Sequence, residues 1–229
     1  MDFQNIPQIL NSAFDTMKLE YEKIFQCMYP ANGSSGFTEA NQTVNFVNAL
    51  KKKLQDTEVI AWFEFPWEFK PCYAKASGRI DALVYSPKYQ TLFCIEAKRI
   101  WDETKKISIK NDIQRLEDGL RERVFNENFT FQKSEYSDKV IKDTYLIVLG
   151  DVWLSKPTPS FNKRDVPRWW LGKKYEDKIP SVCSLENSST DFLLNGNTLN
   201  WTCNLHELKT PKSDTPYCLM IAYKKYINT

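Results

Sequence analysis

Residues 79–86 (RIDALVYS) and 91–98 (TLFCIEAK) are two short runs rich in apolar and β-branched side chains, separated by Pro87-Lys88-Tyr89-Gln90. Turn residues between two such runs predict a β-hairpin with Pro87 in its loop. If Ser86 pairs with Thr91, the same register carries Asp81 to the position opposite Glu96. Lys98 then falls on the face of Glu96, because side chains alternate along a strand. Opposed residues have Cβ atoms roughly 4.5–5.5 Å apart, and two like charges so placed destabilise a sheet. A carboxylate pair there calls for a counter-charge.

A divalent cation would supply one. Mg²⁺ takes oxygen ligands and is commonly held by one or two carboxylates with water and a substrate phosphate. Lys98 would point into the same site, able to orient or help deprotonate a water and to offset charge as a phosphorus centre is attacked. This chemistry suits hydrolysis of a phosphodiester, with Asp81 and Glu96 as ligands of Mg²⁺ or Mn²⁺.

Ile80-Asp81, fourteen intervening residues and then Glu96-Ala97-Lys98 resemble the active-site signature of the PD-(D/E)XK nuclease superfamily, with Ile80 where the motif has Pro. The resemblance covers roughly residues 35–150. It implies a restriction-endonuclease-like α/β fold, a central mixed β-sheet flanked by helices on both faces in the order αβββαβ. It further implies an acidic residue on the helix ahead of the sheet, which Glu39 supplies, and a glutamine on the helix after the Glu-x-Lys strand, which Gln114 supplies. The backbone carbonyl of Ala97 joins Asp81 and Glu96 as an implied metal ligand. Nucleic acid, DNA in preference to RNA, is the implied partner, and pairing into a homodimer is a family expectation.

The surrounding sequence is compatible with that order. The stripe Phe14, Met17, Tyr21, Ile24 and Met28 predicts a helix within residues 1–30. A second helix starts near Thr38, a suitable N-cap, and Glu39 in its first turn suits the helix dipole even without a catalytic role. TEVIAWFEF (57–65) reads as a strand stopped by Pro66, and Glu64 at its end as an outward polar residue. Residues 102–126 read as a helix with Ile109, Ile113, Leu116, Leu120 and Val124 inward, where Gln114 would ordinarily be a surface residue. TYLIVLGDVWL (144–154) follows as an apolar strand, and its place after a crossover helix predicts parallel pairing with the Glu96 strand.

A chain of 229 residues suits one domain, with a core over about 35–154, an N-terminal helix in 1–30 and a C-terminal elaboration over 155–229. In that elaboration, Lys163, Arg164, Arg168, Lys173 and Lys174 interleave with Trp169 and Trp170. Such a mixture could contact nucleic acid, although aromatics are more often core. DFLLNGNTLNW (191–201) suggests a hairpin, and residues 217–226 a strand or short helix.

Six cysteines form no Cys-x-x-Cys pair, so neither zinc nor redox chemistry is indicated. The single histidine, His206, lies far from the motif, which disfavours imidazole catalysis. No stretch approaches the ~18 apolar residues that span a bilayer, and the first residues lack a basic, then apolar, leader pattern, so a cytoplasmic protein without membrane partners is expected. A net charge of +2 neither favours nor excludes a nucleic-acid partner. Two other functions compete with the nuclease. One is a non-catalytic nucleic-acid-binding or interaction module on the same fold; the other is a retaining glycosidase, which also uses a close carboxylate pair but has no need of the lysine.

Overall fold

The computed structural model describes residues 5–27, 37–68, 77–121, 141–155, 161–171, 201–210 and 213–227. The hairpin forms in the register set by its turn: β2 (Ser77–Ser86) and β3 (Thr91–Arg99) pair antiparallel from Ser86 with Thr91 to Ala82 with Ile95. Ahead of them come α1 (Ile6–Cys27), α2 (Glu39–Leu54) and β1 (Ile60–Glu68), which pairs antiparallel with β2. After them, α3 (Glu103–Arg121) crosses over to β4 (Asp143–Trp153), which lies parallel to β3 as its crossover position requires. A short helix α4 (Val166–Leu171) and the antiparallel pair β5 (Thr202–Thr210) and β6 (Ser213–Tyr226) follow. The strand order is β1-β2-β3-β4-β6-β5, a six-stranded mixed sheet accompanied by four α-helices among the described residues.

Two apolar cores cover the two faces of this sheet. On one, Phe14, Met17, Tyr21 and Phe25 of α1 and Phe46, Val47 and Leu50 of α2 pack on Ala82, Val84, Phe93, Ile95, Ile147 and Leu149. On the other, Ile109, Leu116 and Leu120 of α3, with Trp169 and Trp170 of α4, pack on Leu83, Tyr85, Leu92, Cys94, Leu146 and Val148. Burial on both faces explains why β3 and β4 are near-continuous apolar runs rather than alternating ones.

Several details differ from the sequence reading. Strand β1 continues through Pro66 to Glu68; it is an edge strand, the place in a sheet where a proline, lacking an N–H, is tolerated. Trp169 and Trp170 are 6% and 1% exposed, and Trp170 Nε1 donates to the Ile221 carbonyl at 3.2 Å, so these two are core residues and not a nucleic-acid surface. His206 lies in β5, stacked on Phe14 with its Nε2 2.8 Å from Asp15. The expected 191–201 hairpin falls outside the described residues except for Trp201, whereas residues 217–226 form a strand, one of the two expected forms, as part of β6.

Candidate active site

The β2–β3 pairing ends at Ala82 with Ile95, one position short of Asp81 and Glu96. The main-chain N–H of Ala97 donates instead to Asp81 Oδ2 at 2.6 Å. A residue's N–H and C=O point to the same side of an extended strand, so the Ala97 carbonyl also faces the gap that Asp81 occupies.

The parting lies beside an irregularity on β1. Phe63 pairs with Ala82 and Phe65 with Ile80, leaving Glu64 opposite Asp81, and Glu64 has a left-handed φ of 52°. The alternation of faces slips there on both strands. Ile80, expected on the face of Ala82 and Val84, packs instead with Leu83 and Tyr85 against α3, and Trp62 meets Phe65, three residues on, at a ring separation of 5.2 Å. A side chain at the slip is aimed sideways, into the gap between strands, which is how Asp81 reaches the Ala97 amide.

Glu96 stays on the α3 face and is 2% exposed. Its Oε1 lies 2.5 Å from Arg115 Nη2, and the same nitrogen is 3.1 Å from Asp112 Oδ1. Asp112 Oδ2 is 3.1 Å from Lys98 Nζ, which also lies 3.8 Å from Glu39 Oε2. Glu39 is held by its helix start. Thr38 caps α2 by accepting from the Asn41 N–H, Glu39 Oε1 accepts from the Arg99 N–H at 3.1 Å, and the Phe37 carbonyl accepts from Arg99 Nη1 at 3.0 Å. The α2 N-terminus is thereby fastened to the end of β3.

Of the five side chains singled out in the sequence, the structure brings Asp81, Glu96, Lys98 and Glu39 to one end of the sheet. It does not bring Gln114, which is exposed and donates to Asp118 at 2.7 Å one helical turn on. The α3 residues that reach the site are Asp112 and Arg115. Their three-residue spacing resembles that of ordinary surface ion pairs, so the sequence signal was present only as two charges beside the apolar stripe of the helix.

Charge and burial set the protonation of the group. Burial, then the nearby Asp81 and Asp112, push Glu96 up to about 9 against the pull of Arg115 and Lys98. Burial also raises Asp81, opposed by the Ala97 amide and Lys98. Burial alone would lower Lys98, but Asp112, Glu39 and Glu96 more than reverse it and hold it above the ordinary lysine value. A lysine held in this way carries its proton as an ammonium.

Among the described residues no group of three or more His, Cys, Asp or Glu side chains is placed to hold a metal ion. The donors at this end of the sheet are the Asp81 and Glu96 carboxylates and the Ala97 carbonyl, all oxygen, and a cation there would offset the repulsion between the two acids. Oxygen donors of this kind suit a hard divalent ion that completes its shell with water, and Glu96 is the one already engaged by Arg115.

Comparison with protein-family models, with curated proteins and with solved structures finds no match. Among the described residues no helix is long and apolar enough to cross a membrane.

Proposed function

We propose that this chain is a divalent-metal-dependent nuclease of the PD-(D/E)XK kind, hydrolysing nucleic-acid phosphodiester bonds and most suited to DNA as an endonuclease. The reading is supported by one arrangement: Asp81, Glu96 and Lys98 lie where β2 and β3 part, at a partly exposed end of the sheet, with Asp81 on the Ala97 N–H and Lys98 between Asp112 and Glu39.

Asp81, Glu96 and the Ala97 carbonyl would hold Mg²⁺ or Mn²⁺, which lowers the pKa of a coordinated water and offsets phosphate charge. Lys98 keeps its proton and donates to a phosphoryl oxygen on which charge grows, a stabilisation that is strongest where water is excluded. Asp112 and Glu39 hold the ammonium from two sides, so little reorganisation accompanies the reaction. Incubating the protein with supercoiled, linear and single-stranded DNA and with RNA, with Mg²⁺, with Mn²⁺ and with chelator, tests the reading. Cleavage of at least one substrate that chelator abolishes is expected; no cleavage of any of them would contradict it.

The second reading, a non-catalytic module on this fold, has one observation in its favour. Arg115 supplies Glu96 with a counter-charge from within the chain, so the carboxylate pair persists without an ion. Nucleic-acid binding without turnover under every metal condition would select it.

A further inference from the structure

The Arg115 guanidinium is held from three sides. Its Nη2 takes Glu96 Oε1 and Asp112 Oδ1 at 2.5 and 3.1 Å, and its Nη1 donates to the Arg79 carbonyl at 3.0 Å. Gly78 makes room for it: a Cβ built there would lie 1.9 Å from Nη1 and 3.0 Å from Cζ. A side chain on α3 thus reaches across the sheet to the buried carboxylate that the proposed cation needs, through a berth that only glycine leaves open.

We propose that Arg115 is the resident counter-ion of the cation site, occupying Glu96 until a divalent ion displaces it, and that Gly78 is the berth that keeps it there. The inference rests on the metal-dependent reading above. Its physical basis is that a buried carboxylate left alone is strongly destabilising, whereas one with a partner is tolerated. Without an ion the guanidinium protects the fold; with an ion the two cations compete for one carboxylate. Arg115 is in this sense a positioning residue, setting when Glu96 is free.

The test compares the full chain with Gly78→Ala and Arg115→Met, measuring Mn²⁺ affinity by calorimetry and the melting temperature with and without Mn²⁺. Gly78→Ala crowds the end of a flexible side chain and leaves every charge in place, so general electrostatics cannot explain its effect. Arg115→Met keeps the apolar stem and removes the competitor. Both variants are expected to melt lower than the parent without metal, to bind Mn²⁺ at least fivefold more tightly, and to gain more melting temperature from it. Glu96→Gln should abolish the binding.

Lower melting with unchanged Mn²⁺ affinity in both variants would make Arg115 merely structural and overturn the inference while leaving the nuclease reading intact. If neither parent nor variants bind Mn²⁺, the inference falls together with the metal-dependent reading. Should Gly78→Ala fail to fold, Arg115→Met decides alone by the same two readouts.

Discussion

Asp112 Oδ2 lies 3.1 Å from Lys98 Nζ, while its Oδ1 holds Arg115, so one carboxylate on α3 orders both cations of the site. Asp112 heads the influences that raise the Lys98 pKa. Asp112→Asn keeps the shape and removes the charge. Partners of this kind are typically worth about 10- to 100-fold in activity or metal affinity, and a loss of cleavage in that range is expected, with the melting temperature measured alongside to exclude unfolding. Unaltered cleavage would show that Lys98 is positioned without it.

Glu64 bears a left-handed φ of 52° opposite Asp81. Such conformations cost non-glycine residues roughly 1–3 kcal/mol and tend to persist where surrounding structure over-determines them. Glu64→Gly is expected to stabilise the protein by ~0.5–1 kcal/mol, because glycine enters this region without the Cβ penalty. Glu64→Val should destabilise by more than that. Urea denaturation of the two variants measures both signs.

Asp151 sits in β4 on the face covered by α1 and α2, is 0% exposed, and accepts a hydrogen bond from the Tyr217 hydroxyl. Burial pushes its pKa up to about 7, opposed first by that hydrogen bond and then by Arg99. An acid whose pKa is higher folded than unfolded binds its proton more tightly in the native state. Its burial is therefore tolerated at low pH and costs increasing stability as the pH rises from near 4 through 7. Asp151→Asn keeps an acceptor for Tyr217 and cannot ionise. The stability difference, variant minus parent, is expected to be more favourable at pH 8 than at pH 4.5 by up to ~3 kcal/mol. Equal differences at the two pH values would contradict the buried, raised acid.

Gln114 and Arg115 are neighbours on α3 with opposite fates, one exposed against Asp118 and one inside the site. Gln114→Ala is expected to change stability by no more than ~0.5 kcal/mol and to leave cleavage at the parent rate. A large loss of cleavage would return the glutamine to the site.

The contrast marks where sequence patterns stop. The β2–β3 register was legible because a turn and the alternation of apolar residues leave it little freedom, and the parallel partnership of β3 with β4 followed from the crossover helix. The face slip at Glu64 and Asp81 was not, since it depends on a backbone angle that no residue type there requires. The helix contribution was missed because Asp112 and Arg115 look like a solvent-exposed pair until α3 is laid over Glu96. Asp151 carried a usable signal, a lone acid inside the apolar run TYLIVLGDVWL, although nothing in that run tells which element buries it.

The most direct test of the account is cleavage of supercoiled DNA by the parent, Asp81→Ala and Lys98→Ala, each purified alike and assayed with Mg²⁺ and with chelator. Metal-dependent cleavage by the parent alone, reduced at least ~100-fold in both variants with their folds intact by circular dichroism, is the predicted result. Undiminished turnover by both variants, or turnover indifferent to chelator, would contradict it.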